Sequence, residues 1–319
     1  MQSAIRFAAA LTVLAIAGCA SHEKSPRPTD TLYLAGIKPG TLEVVHLRNR
    51  RVETRHLAKL SPADPLYFIA ATGGRLVTYG HDHTYSYGPA ARAPARSLGQ
   101  SWFFVPSATP GRVWLALLGN PRTVTLRGLR EVTVGGTTTL AHTPKPPAWP
   151  IAALTTGLVI QRRTLELWNP RTGATTKLPG VFPMGARGSV VASCEDPCPM
   201  LHVTDTRARS EFDVRPPAGW RFVPTYAQDS FSPDGELLAL PVHRRGGENA
   251  VALLDLTDKT LRTIPGAPLA HDYQLIAWAS SGWLYFSSTA RRIAAYRPGE
   301  EAARILPVRV GKVIDLAVA

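Results

Sequence analysis

Leu165-Glu166-Leu167-Trp168-Asn169-Pro170-Arg171-Thr172-Gly173-Ala174-Thr175-Thr176-Lys177-Leu178 reads as a single β-hairpin. A short apolar-alternating run ends at Trp168, and Asn169 to Gly173 supply the turn. Pro presets φ near −65° and Gly accepts positive φ, so the chain reverses here and a second strand begins. The same unit recurs elsewhere. Residues 201–205 lead through a turn to 210–214, and 251–255 pass Thr257-Asp258 to reach 261–264. Residues 293–296 pass Arg297-Pro298-Gly299 and continue to 304–306. Residues 42–47, Asn49-Arg50 and 52–57 repeat the pattern, and residues 85–98 are a weaker copy around Gly88-Pro89.

Aligned where the first strand of each hairpin ends, the anchors are His46, Gly88, Asn169, Asp205, Asp255 and Arg297, spaced by 42, 81, 36, 50 and 42 residues. The gap of 81 holds one more unit, which residues 113–140 can fill. Seven units of about 42 residues result, and a period of ~40–45 is that of a four-stranded propeller blade. A lone blade cannot bury its faces, so blades stack around a channel. The expected fold is all-β, a single β-propeller of seven blades with four antiparallel strands each. Six or eight blades, or a β-sandwich pair, are the alternatives. Residues 313–318 form a lone strand near one end and residues 31–35 another near the start. Pairing them in one blade would close the ring and remove open edges.

The composition agrees. Pro (28) and Gly (26) are spread along the chain, which suits short strands with tight turns. Charged residues are 18% and hydrophobic residues 45% of 319, which suffices for a large core without metals and argues against disorder. No stretch of the mature chain has a long amphipathic helix pattern.

The first strands of a blade are visible in Ser230-Phe231-Ser232-Pro233-Asp234-Gly235 with residues 236–241, and again in residues 277–282 with 283–287. This strand–turn–strand pattern resembles WD40-like and TolB-like propellers over most of residues 31–318. Trp168-Asn169 is the nearest approach to a Trp-Asp dipeptide and the usual Gly-His start is absent, so this is not an orthodox WD40 chain. The resemblance implies a fold and says little about function.

The N-terminus reads as an export signal over residues 1–18. Residues 7–17 are an apolar run broken by Thr12. As a helix it would cover about 16 Å, too short for a ~30 Å bilayer core, so it is a signal-peptide segment and not a span. It ends in Ile16-Ala17-Gly18-Cys19, which resembles the bacterial lipobox. That resemblance implies that Cys19 is diacylated on sulfur and becomes the first residue after cleavage. Two acyl chains give stable anchoring at the extracytoplasmic face of the cell membrane. Ordinary cleavage after Ala17 is the alternative. Residues 19–30 read as a flexible tether and residues 31–319 as the propeller domain.

With Cys19 acylated, Cys194 and Cys198 remain as an even pair in an oxidising compartment, at an expected hairpin turn. A disulfide is expected. Zinc would need more ligands than nearby His202, and the spacing is not the Cys-x-x-Cys of a redox pair.

Turns between second and third strands share one propeller face. Arg162-Arg163, Arg244-Arg245 and Arg291-Arg292 fall at such turns, with His81-Asp82-His83 at another and His271-Asp272 in a connection on that side. Arg pairs on one face can hold carboxylate or phosphate bidentately. Arg also populates the opposite face, at Arg48, Arg50, Arg51, Arg207 and Arg209, as turns of a protein with net charge +13 would show. Two His and one Asp are too few for a metal site. No nucleophile elbow, phosphate loop or carboxylate pair is assigned, so no catalytic residue, metal or cofactor is expected. Export and the lack of aromatic–basic interleaving argue against nucleic acid. The sequence therefore points to a non-catalytic scaffold for an envelope protein or an anionic polymer. A hydrolase or lactonase-like propeller is the competing class.

Overall fold

The computed structural model describes residues 26–319 apart from 37–39, 61–67, 81, 92–94, 121–124, 143, 146, 226–228, 245, 267, 271–274 and 290. The expected signal segment and lipidated Cys19 lie outside the described residues, as do His81, Arg245, His271 and Asp272.

The strands assemble into seven four-stranded antiparallel sheets, the blades of a propeller. The first blade is closed by the two ends of the chain. Val313–Val318 is its innermost strand and pairs antiparallel with Thr31–Gly36, with Leu32 opposite Val318 and Leu34 opposite Leu316. Thr41–His46 and Arg51–His56 complete it. The gap of 81 residues holds a whole blade, from Phe103–Pro106 through Arg112–Asn120 and Thr125–Thr133 to Thr138–His142. Among the described residues the one helix is a single 3-10 turn at Pro89–Ala91, and none is long and apolar enough to cross a membrane.

Among the described residues the core is divided between the blades. Seven buried clusters fill the seven interfaces between neighbouring blades. Leu32, Leu34 and Val45 of the first blade meet Trp283, Tyr285 and Ile293 of the seventh, for example. Middle strands are therefore covered on both faces. Asn249–Asp255 is buried at six successive positions, whereas the outer strand Thr175–Lys177 is fully exposed.

The sixth blade departs from the pattern read around Ser230. Its innermost strand is split. Trp220–Phe222 pairs with the upper part of Leu237–Arg244, and only a single bridge, Phe231 to Leu238, continues the ladder lower down. Pro224 and Pro233 lack the N–H that a continuous strand would donate. The lower segment is held instead by Ala239 N donating to Ser230 O (2.9 Å) and by Trp278 Nε1 of the next blade donating to the same oxygen (2.9 Å). Gly185 of the fifth blade permits this approach, because a Cβ there would collide with Ser230 Oγ and Phe231.

Candidate functional site

The propeller has two faces of different chemistry. On the face of the second-to-third turns, a groove of about 650 Å³ opens between the fifth and sixth blades. Asp196, Pro197, Cys198 and Pro199 form one wall, and Arg221 to Pro224, with His243 and Asn249, form the other. The wall of the fifth blade is fixed by a disulfide between Cys194 and Cys198, with Cα atoms 5.3 Å apart. Both cysteines are buried in the cluster that joins the two blades. The Asp196–Pro197 peptide is cis.

His243 Nδ1 donates to Asn249 Oδ1 at 2.7 Å, which orients the imidazole at the end of the hairpin. Arg221 is exposed at the groove's edge, opposite His243 in the strand pairing. The site thus offers apolar, proline-rich walls with the exposed Asp196 on one side and Arg221 on the other.

The Cys194–Cys198 bridge closes a five-residue loop and contributes roughly 2 kcal/mol on loop-entropy grounds. Replacing both cysteines by Ser should lower the unfolding free energy by that amount, read as a lower urea midpoint at nearly unchanged slope. An unchanged midpoint would show that the loop is held by packing alone.

The residues singled out in the sequence fare differently. Arg162 is paired with Glu166 and Arg244 with Glu248 (3.7 Å), so both carry a local counter-charge. Arg244 also lies over Trp220, 5.9 Å from the ring centroid. Arg163 and Arg291 are exposed, and Arg292 begins a strand. The three pairs belong to the fourth, sixth and seventh blades and are not gathered at one point. Asp82 Oδ1 is 2.6 Å from His83 Nδ1, and Asp82 Oδ2 accepts from Gln100 Nε2 (3.3 Å). Among the described residues no group of three His, Cys, Asp or Glu side chains forms a ligand set.

A second feature lies at the propeller axis and has no counterpart in the sequence reading. Asp315, on the innermost strand of the first blade, accepts from Ile69 N of the second blade at 2.6 Å and from Leu316 N at 2.9 Å. Burial pushes its carboxyl up to about 7, and the nearby Asp229 charge adds to the shift. Asp229 is pushed up to about 6 by burial, with the Arg187 guanidinium opposing. Both keep some exposed surface, yet the ring of strands encloses them, so desolvation dominates. The one sequence signal for Asp315 is a lone charge within an apolar run of innermost strand.

No family model matches this sequence, and no curated protein does. Among solved structures, apo AztD from Citrobacter koseri is similar, with a TM-score of 0.53 and 12% identity over 92% of this chain and 98% of its own. TolB from Acinetobacter baumannii gives 0.51 and 12%, over 91% of this chain and 66% of TolB. A protein of unknown function from Desulfotomaculum acetoxidans gives 0.57 and 10%, over 91% and 99%. This chain is a seven-bladed propeller resembling AztD and TolB. At such identities the propeller likeness concerns the fold alone. The groove and the axial aspartates must be read from this chain's own residues.

Proposed function

We propose that the protein is an exported lipoprotein, anchored through Cys19 at the outer face of the bacterial cytoplasmic membrane, whose propeller is a non-catalytic scaffold. Its binding element is the groove between the fifth and sixth blades. One observation carries this reading: the groove and the N-terminal segment lie on opposite faces. Residues 26–30 reach the body beside the third-to-fourth turns, where Leu47 N donates to Asp30 O (3.1 Å). An anchor at Cys19 therefore leaves the groove facing away from the lipid. The groove's walls are braced by a disulfide and by the interblade cluster, so little ordering is needed to bind. The occupant best matched to proline-rich walls with Arg221 on one side and Asp196 on the other is a protein segment that sets an acidic side chain against Arg221.

In-cell crosslinking of the tagged full-length protein, followed by mass spectrometry, tests this reading. One dominant protein partner is expected. Arg221→Glu should lower its recovery about tenfold, equivalent to ~1.4 kcal/mol of binding, while Arg163→Glu on the same face leaves it unchanged. Capture that is indifferent to Arg221, or retention of cell-wall polymer without protein, would contradict it.

A further inference from the structure

The face opposite the groove has a chemistry of its own. Each of the seven third-to-fourth turns contains a residue of positive φ, Ala91 (φ 54°) in the second blade and Gly136 (φ 87°) in the third among them. The fourth and seventh blades use Gly173 (φ 75°) and Gly299 (φ 92°) there. The first, fifth and sixth blades place Arg50 (φ 58°), Arg209 (φ 55°) and Lys259 (φ 56°) at that position. Glycine takes this conformation freely, whereas a side chain is strained in it. Three exposed cations stand where glycine would be easier. Arg48, Arg171 and Arg207 are exposed in the same set of turns.

In the fifth and sixth blades the aspartate that opens the turn is directed onto the backbone. Asp205 Oδ1 accepts from the amides of Arg207 (2.9 Å) and Ala208 (3.1 Å), and Asp255 Oδ1 from those of Thr257 (2.9 Å) and Asp258 (3.1 Å). Among the described residues Glu211, Asp234, Glu236, Asp258 and Glu301 are exposed acids at or beside this face, and the exposed Arg48, Arg50, Arg51, Arg171, Arg207, Arg209 and Lys259 outnumber them. Arg51 and Arg304 at these turns are paired with Glu53 (3.1 Å) and Glu300, as Arg162 and Arg244 on the groove face are paired with Glu166 and Glu248.

The chain enters on this same face. Asp30 Oδ2 accepts from Ser281 Oγ (2.8 Å) and Tyr285 OH (2.5 Å), and Arg304 Nη2 donates to Pro26 O (3.4 Å). Pro28 is buried beside Leu47 and Arg50. Only six residues separate Cys19 from Pro26, seven chain steps with a reach of at most about 25 Å. We infer that the third-to-fourth turn face is the membrane-apposed surface, and that its partner is a bilayer bearing anionic phospholipid headgroups. The inference rests on the anchor reading above for its geometry and on charge complementarity for its partner.

The test uses full-length protein purified from membranes, with the mass of its N-terminal peptide checked for acylation. Arg209→Cys and Arg163→Cys variants carry a fluorophore and are reconstituted in vesicles with a headgroup-attached quencher. In phosphatidylglycerol–phosphatidylcholine vesicles the label at 209 should be quenched several-fold more than that at 163. High salt, or charge reversal at Arg50, Arg207 and Lys259 together, should remove the difference while the protein still floats with the vesicles. Equal quenching at both positions in acylated protein would overturn the inference and leave the anchor intact. If the N-terminal peptide is unacylated, the anchor reading fails, and flotation of the soluble chain decides the surface. Binding to phosphatidylglycerol vesicles that falls about a hundredfold in the triple variant supports it. No preference over phosphatidylcholine overturns it.

Discussion

Replacing Asp315 by Asn should stabilise the folded protein at pH 8 and leave its stability nearly unchanged at pH 4. The sign follows from the shift. The carboxyl has an ordinary value of 3.8 and is pushed up to about 7 in the fold, so the folded state holds its proton more tightly than the unfolded state. The resulting cost is absent below pH ~4, grows as pH rises through the interval, and is complete above ~7. A shift of about three units corresponds to ~4 kcal/mol at most. Water in the channel and the loss of one accepted hydrogen bond reduce the gain to about 2 kcal/mol. Asn keeps an acceptor for Ile69 N, the contact that ties the first blade to the second. The Asp229 charge adds to the shift at Asp315, so substitutions at the two positions should not add. Urea midpoints at both pH values check this. No gain at pH 8 would mean that water reaches the axis freely.

A larger effect is expected from ending the chain at Lys312. This removes Val313–Val318, the innermost strand of the first blade, and bares the edge of Thr31–Gly36. Val313 and Leu316 leave the cluster shared with the seventh blade, and Ala317 leaves the one shared with the second. Each large apolar side chain lost contributes roughly 1.5–3 kcal/mol, against a total domain stability of only ~5–15 kcal/mol. The shortened chain should lack a cooperative transition and elute as aggregate. Leu316→Ala, which keeps the ring closed, should cost about 2–5 kcal/mol and preserve cooperativity. If the truncated chain unfolded at the full-length midpoint, closure by the terminal strands would not hold the ring together.

The number of blades was legible because hairpin turns recur at a near-constant interval, and turn chemistry is local. Asn169 to Gly173 reads as a turn whatever surrounds it. Closure was legible for a related reason: two lone strands at opposite ends had no local partner. Strand edges were harder to read. The middle strands touch a neighbouring blade on both faces, so Asn249–Asp255 shows no apolar–polar alternation to mark its orientation. The split strand of the sixth blade was missed because its halves, at Trp220–Phe222 and near Phe231, are joined only through their partner Leu237–Arg244.

The candidate site was less legible than the fold. Arg pairs are conspicuous in a sequence, but their local glutamates at Glu166 and Glu248 leave them partly satisfied. The groove draws Pro197 and Pro199 from one blade and Arg221, Pro224 and His243 from the next, and no spacing rule joins those positions. Only the cysteine pair that braces it could be seen in advance. The axial pair sets the charge of Asp229, from the sixth blade, near Asp315 of the first, positions far apart in the sequence.

The most direct test of the account is the mass of the N-terminal tryptic peptide of the protein recovered from the cell's membrane fraction. The account predicts a peptide of residues 19–24 that begins at Cys19 and carries a diacylglyceryl adduct, with Cys19→Ala abolishing it and releasing or arresting the chain. An unmodified peptide beginning at Gly18, or one retaining residues 1–18, would contradict the anchor on which the orientation of both faces depends.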